Sequence, residues 1–327
     1  MRTHRLLRPP RRRLRVRVVA PSSPFPEARM ARGVARLCEA GLDVEDTSRV
    51  LVEGHAYLNG SDEERGAALE AALASDADVV WLARGGYGLT RLLSSLTLPD
   101  GPLPLVVGFS DATALSAHLF AHGIASAHGP LITTVADEPP ASFQHLMRVL
   151  SGHTAGLSLS GLCPPIGHGP TGAADGVLFS ANLCVLTHLV GTRSLPSLDG
   201  ALLVLEEVGE RPYRIDRMLT QLTESGALAG VRAVVLGHLA GCEEPGGKDG
   251  APRAEDVFAE RLSALGIPLV RGAPVGHLAP NFALPNGVRA HLAWSDGEAA
   301  LRIVEDLHEG SQPAGSSREE AREEQTE

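Results

Sequence analysis

Val79-Val80-Trp81-Leu82-Ala83-Arg84-Gly85-Gly86-Tyr87-Gly88 is an apolar run that breaks into a glycine-rich turn, and Leu105-Val106-Val107-Gly108-Phe109-Ser110-Asp111-Ala112 repeats the arrangement. Short apolar runs without polar alternation read as strands covered on both faces, as in a parallel sheet layered between helices. The neighbouring segments agree. Val16 to Ala20, interrupted by Arg17, reads as a further strand, closed by Pro21-Ser22-Ser23-Pro24; residues 27–40 read as a helix stopped by Gly41. Residues 63–75 read as a helix capped by Ser61-Asp62, with Glu64 three positions after Ser61. Strands alternating with helices predict an α/β protein with helices on both faces of a parallel sheet. Both glycine-bearing turns fall just past the carboxyl ends of strands, where open α/β sheets bind ligands.

A second α/β unit is expected around a strand at 201–207, a helix at 213–225 closed by Gly226, a strand at 233–236 and a helix at 254–265. The stretch 137–172, rich in Pro, Gly and Ser, reads as a linker between a domain at 16–136 and another at 173–308. Residues 1–15 are read as a disordered basic leader and 309–327 as a disordered acidic tail, and residues 1–14 and 310–327 are expected to be dispensable.

The chain has 327 residues, 43% hydrophobic and 21% charged, enough for two domains with real cores. Its net charge is −10, unevenly spread: residues 1–17 hold eight Arg and no acid, whereas 305–327 hold eight acids and two Arg. The acidic body argues against a nucleic-acid binder, whose affinity rests on phosphate neutralisation. No apolar stretch approaches the ~20 residues of a membrane span. The four Cys are scattered without a CxxC pair, which points to a reducing, cytoplasmic setting with no disulfide framework and no metal site.

Ser110 lies on a predicted strand-to-helix turn with Gly108 and Ala112 two positions either side, the small residues that a pinched nucleophile turn needs. The first N–H groups of the following helix would face an oxyanion formed beside Ser110. An ordinary helix cap is the competing reading. Gly85, Gly86 and Gly88 let backbone approach a ligand and offer an oxyanion N–H, or make only a tight turn. A serine nucleophile needs a base and the base an orienting acid. His277, His128 and His238 are candidates for the first. Glu206 and Glu207 are candidates for the second, and strand alternation sends them to opposite faces.

These motifs, in order, resemble the LD-carboxypeptidases, serine peptidases that include muropeptide carboxypeptidases and microcin-immunity peptidases. Val19-Ala20-Pro21-Ser22-Ser23-Pro24, Arg84-Gly85-Gly86-Tyr87-Gly88 with Arg91, Gly108-Phe109-Ser110-Asp111-Ala112-Thr113, His128-Gly129-Pro130, Leu205-Glu206-Glu207 to Arg217, and Pro274-Val275-Gly276-His277 carry the resemblance. It implies a Rossmann-like N-terminal domain, a C-terminal α/β domain and an active site at their interface. By the same resemblance Ser110 is the nucleophile, His277 the base and Glu206 the acid, with the N–H groups of Gly86 and Asp111 as oxyanion hole. Ser180-Ala181-Asn182-Leu183 departs from the family's Gly-Gly-Asn-Leu.

The implied reaction hydrolyses the L,D amide bond of murein tetrapeptides in peptidoglycan recycling, releasing D-alanine without metal or organic cofactor. Arg84 is the candidate for pairing with the free carboxylate of this small peptide substrate. A homodimer is the family's common state. The alternative substrate is an aminoacyl-sulfamoyl nucleotide, whose base would need an aromatic to stack on; Trp81 and Trp294 both read as strand residues, which favours murein.

Overall fold

The apolar runs become the interior of the first of two sheets in the computed structural model, which describes residues 7–52, 56–246, 252–295 and 297–308. In chain order the first sheet is built from β1 (Arg15–Val19), β2 (Asp43–Val44), β3 (Val79–Leu82), β4 (Leu105–Gly108) and β5 (Ser126–His128). They lie side by side as β2-β1-β3-β4-β5, every pairing parallel. Each residue of β3 and β4 is buried, which is why neither alternates. The order reverses between β1 and β3, the topological switch point at which such sheets open a crevice.

Helices α1 (Glu27–Glu39), α2 (Asp62–Leu73), α3 (Ala112–Ala121) and α4 (Ile132–Val135) flank these strands. The capping box at the start of α2 forms as the sequence predicts: Ser61 Oγ accepts the Glu64 N–H at 3.2 Å and Glu64 Oε2 accepts the Ser61 N–H at 2.8 Å. α3 is buried along almost its whole length, as a helix does when both faces are covered by protein.

The second sheet comprises β6 (Ser158–Leu162), β7 (Gly172–Asn182), β8 (Ala201–Val208), β9 (Ala233–Ala240), β10 (Leu269–Arg271), β12 (Arg289–Ser295) and β13 (Glu298–Ile303), in the order β10-β9-β8-β7-β12-β13-β6. β7 to β10 are parallel to one another, and β12, β13 and β6 continue the sheet antiparallel. The short β11 (Leu284–Asn286) leaves this unit and pairs antiparallel with β5 of the first sheet. Helices α6 (Leu183–His188), α7 (Pro212–Glu224) and α8 (Ala254–Ala264) complete the unit. α7 buries Ile215, Met218, Leu219 and Leu222, one face at helical spacing.

Two expectations change. The stretch 137–172 is more than a connector: it contains α5 (Pro140–Leu150), whose proline sits where a helix tolerates one, and β6, the edge of the second sheet. Nor is the leader disordered from residue 7 onward. Leu7 and Leu14 are 5% and 8% exposed, the Arg8 N–H donates to Leu103 O at 2.8 Å, and Arg8 Nη1 donates to Ser75 O and Ala77 O, each at 2.9 Å. Composition hid this because two leucines and aligned arginines suffice to dock the segment. Residues 1–6 and the tail 309–327 lie outside the described residues. Among those described, no helix is long and apolar enough to cross a membrane.

Candidate active site

Three loops at the carboxyl ends of β1, β3 and β4 meet at the crevice. The loop after β4 carries Ser110 with φ of 65°, a left-handed conformation that costs a residue with a Cβ roughly 1–3 kcal/mol. The turn is as tight as the sequence requires: a Cβ on Gly108 would lie 2.9 Å from the Cβ of Ala112. The loop after β3 presses equally close. A Cβ on Gly85 would sit 2.9 Å from the Ser110 Cβ, 3.0 Å from its Oγ and 3.5 Å from the Asp111 nitrogen.

His277 and Glu206 arrive from the second unit. His277 Nδ1 donates to Glu206 Oε2 at 2.6 Å, the tautomer that leaves Nε2 as acceptor 3.1 Å from Ser110 Oγ. Glu206 is fully buried and His277 is 19% exposed, so the carboxylate is shielded while the ring edge stays within reach of a ligand. Among the described residues Glu206 Oε1 has no hydrogen-bond partner, leaving its attraction directed at one ring. The Phe109 ring meets the imidazole edge to face, 4.7 Å between centroids, and fixes its plane. Behind His277, the Gly276 N–H donates to Asn281 Oδ1 at 2.9 Å and the Asn281 N–H to Glu138 Oε2 at 2.9 Å.

The pair of glutamates divides as strand alternation demands. Glu207 faces away, accepting from Cys184 N at 2.7 Å, Val208 N at 2.8 Å and Asn182 Nδ2 at 3.1 Å. It thereby caps α6, whose N-cap is Asn182, the residue shared with the motif that departs at Ser180-Ala181. Burial pushes the Glu207 carboxyl above its usual range, and the three N–H donors work against that shift.

The Asp111 side chain has a task that sequence reasoning missed. It is 2% exposed, and its Oδ2 accepts from Ser22 Oγ at 2.6 Å and from Leu89 N at 3.0 Å, joining the three loops. Burial raises its carboxyl while these two donors oppose the rise. Ser23 adds a second tie, its Oγ accepting the Tyr87 N–H at 3.2 Å. The motif Pro21-Ser22-Ser23-Pro24 was the available signal. Among the described residues, the N–H groups of Gly86 and Asp111 donate to no protein acceptor. Arg84 is exposed, forms no ion pair among the described residues, and donates one hydrogen bond to Pro24 O.

The other histidine candidates lie nearby without joining the relay. Burial and the neighbouring His277 pull His128 down to about 3, and the same two causes lower His238. His238 Nδ1 accepts the Leu278 N–H at 3.3 Å. Trp81 is buried and donates to Pro130 O at 2.7 Å, and Trp294 is 6% exposed, so neither lines the crevice. Tyr87 and Tyr57 do stand exposed beside the glycine loop, ring centroids 6.2 Å apart. Among the described residues, no group of three or more His, Cys, Asp or Glu is arranged to hold a metal ion.

Models of the LD-carboxypeptidase N-terminal and C-terminal domains match residues 16–129 and 175–292. A putative carboxypeptidase of Synechocystis is 38% identical over 293 residues, covering 87% of this chain and 92% of that one. The murein tetrapeptide carboxypeptidase of Pseudomonas aeruginosa is 33% identical over 289 residues, 85% of this chain and 92% of its own. The muramoyltetrapeptide carboxypeptidase of Oxalobacter formigenes, a solved structure, is 30% identical with a TM-score of 0.73, covering 89% and 99% of the two chains. The microcin C7 self-immunity protein MccF of Escherichia coli shares the fold: it is 24% identical over 318 residues, 86% of this chain and 90% of its own. Its wild-type apo structure gives a TM-score of 0.76 over 92% of this chain and 99% of that one.

Proposed function

Because this chain belongs to the LD-carboxypeptidase family, we propose that it is a serine carboxypeptidase in which Ser110, His277 and Glu206 hydrolyse the L,D amide bond of murein tetrapeptides and release D-alanine. The observation that carries this reading is the relay from Glu206 Oε2 through His277 to Ser110 Oγ, at 2.6 Å and 3.1 Å. Those separations match what a base needs to take a hydroxyl proton and what an acid needs to orient the base.

His277 Nε2 takes the Ser110 proton as Oγ attacks the carbonyl carbon, and buried Glu206 stabilises the imidazolium that forms. The oxyanion develops beside the unengaged N–H groups of Gly86 and Asp111; one such donor is worth about 3–4 kcal/mol to the transition state. His277 then hands its proton to the departing amine, the C–N bond breaks, and free D-alanine leaves. Water attacks the remaining ester by the same route and restores Ser110. Exposed Arg84, at the rim of the oxyanion loop, is placed to pair with the substrate's terminal carboxylate.

One observation favours a second substrate class. The exposed pair Tyr57 and Tyr87 offers aromatic surface beside the loop, which an aminoacyl-sulfamoyl nucleotide would use for its base; a structure of MccF holds aspartyl sulfamoyl adenosine. The buried tryptophans support murein, but tryptophan alone was too narrow a criterion. Incubating the protein separately with a murein tetrapeptide and with an aminoacyl-sulfamoyl adenylate, and measuring D-alanine and free amino acid by mass spectrometry, decides between them. Turnover of the tetrapeptide alone is expected. Turnover of the adenylate alone overturns the murein assignment.

A further inference from the structure

Helices α3 and α6 connect the active site to a second cleft at their far ends. α3 starts two residues after Ser110 and is followed by His122; α6 starts at the Glu207 cap and ends with His188. Between those carboxyl ends lies a cavity of about 890 Å³, walled by His118, His122 and the segment around Leu93 from the first unit and by His188, Arg193 and Ser194 from the second.

In a protein of net charge −10 the lining contains no Asp or Glu; the remaining polar groups are hydroxyls and Arg193. Arg193 is exposed and forms no ion pair among the described residues. One carboxylate reaches a lining residue: Glu70 Oε1 accepts the Thr97 N–H at 2.7 Å. His122 Nδ1 donates to His118 O at 2.8 Å and His188 Nδ1 to Cys184 O at 2.7 Å, which anchors both rings and leaves their Nε2 edges clear of their own helices. His118 bridges the units, its Nδ1 3.1 Å from Ser194 Oγ. Helix carboxyl ends carry partial negative charge, so the attraction for an anion has to come from Arg193 and the hydroxyls.

We propose that this cleft binds a small oxyanion, a phosphate- or carboxylate-bearing metabolite, and that its occupancy is coupled to the active site through α3 and α6. Arg193 supplies the charge-assisted hydrogen bonds and the Ser94 and Ser194 hydroxyls supply neutral donors; His122 and His188, whose Nδ1–H groups are given to their own helices, donate through Nε2 only as the imidazolium that a bound anion favours. The same two units contribute Ser110 on one side and His277 with Glu206 on the other. A ligand that bridges them favours one relative placement, and binding at one end then changes affinity at the other. The binding step is independent of the peptidase reading; the coupling rests on it.

Isothermal titration calorimetry of the full chain bearing Ser110→Ala, with inorganic phosphate, pyrophosphate and citrate in turn, tests the binding without turnover. Saturable binding of at least one probe is expected, weakened about tenfold by adding Arg193→Gln, the loss of one charge-assisted hydrogen bond. Both side chains are exposed, so Arg193→Gln and His188→Gln should melt at the temperature of the parent chain when no anion is present. Failure of all three probes to bind, or binding unmoved by Arg193→Gln together with His188→Gln, overturns the site. Loss of binding when a phosphonate occupies the active-site serine of the wild-type chain, with the affinity for the anion unmoved by Arg193→Gln, places the anion there instead and also overturns it. In the peptidase assay the bound anion should change kcat/KM roughly fivefold or more, and the double substitution should abolish the response; an unchanged rate at saturating anion refutes the coupling.

Discussion

Changing Glu206 and Glu207 separately to glutamine tests the division of labour between two adjacent carboxylates. Glu206 is fully buried and makes one hydrogen bond, to His277 Nδ1 at 2.6 Å. A glutamine there either presents its amide N–H to Nδ1, forcing the tautomer whose Nε2 carries a proton and cannot accept one from Ser110, or keeps the tautomer and leaves imidazolium without a counter-charge. In a Ser-His-Asp peptidase the equivalent carboxylate-to-amide change costs about 10⁴ in kcat, or roughly 5 kcal/mol of transition-state stabilisation. Among the described residues Glu206 has no second hydrogen-bond partner to soften that loss. Glu207→Gln has a different cost. Its two oxygens accept from three N–H groups, and the amide must turn an N–H against one of them, orphaning a buried donor for about 1–3 kcal/mol of stability. Initial rates of D-alanine release, paired with thermal melts of each variant, separate the two effects. Glu206→Gln should lose three to four orders of magnitude (~10³–10⁴) in kcat with little change in melting temperature. Glu207→Gln should melt lower yet keep most of its activity per folded molecule. The reverse order would mean that the acid has been placed on the wrong face of β8.

Gly85→Ala puts a methyl group 2.9 Å from the Ser110 Cβ and 3.0 Å from Oγ, so kcat should fall at least tenfold through displacement of the hydroxyl, with a smaller effect on KM; unchanged kcat would show that the loops yield freely. At position 110, glycine should give a more stable chain than alanine by about 1 kcal/mol, because only glycine adopts φ of 65° without strain; both should be inactive, and equal melting temperatures would refute the strain. Burial pulls His118 and His145 down to about 4 and His128 to about 3, so each takes up a proton in the unfolded chain before it does in the folded one. Their contribution is complete above the unfolded value of about 6.5 and is lost as pH falls toward 4, with a slope of roughly 1.4 kcal/mol per pH unit for each; urea midpoints that stay flat from pH 7 to 4 would contradict this. Removing residues 1–14 exposes the sites of Leu7 and Leu14 and should cost roughly 3 kcal/mol or more of stability while leaving kcat intact; an unchanged urea midpoint would restore the leader as a free end.

Legibility in the sequence followed burial. β3 and β4 were readable because a strand buried on both faces must be apolar throughout, and α7 because one face carries its core side chains. The antiparallel half of the second sheet was not: β7 opens with Gly172-Ala173-Ala174-Asp175-Gly176, whose small and polar residues resemble a loop until β12 pairs with them. α5 hid behind its own prolines. For the site, local chemistry placed Ser110 on a pinched turn, but Glu206, His277 and Ser110 are 71 and 167 positions apart along the successive contacts. No spacing rule selects His277 over His128 or His238, which lie close to it; that choice came from the resemblance, and the hydrogen bonds supply a physical reason for it. The Asp111 staple had only Pro21-Ser22-Ser23-Pro24 as a signal, because its partners, Ser22 and Leu89, belong to two other loops.

The most direct test of the central assignment is covalent labelling of the intact protein with a fluorophosphonate, followed by peptide mass spectrometry. An activated serine attacks the phosphorus, the P–F bond breaks with loss of fluoride, and the phosphonyl adduct stays on Oγ, whereas an ordinary helix-capping serine does not react. One adduct is predicted, on Ser110, forming in parallel with loss of D-alanine release, absent in Ser110→Ala and slowed by orders of magnitude in His277→Ala. Labelling of a different residue in step with inactivation, or full peptidase activity in a chain modified at Ser110, would contradict the account.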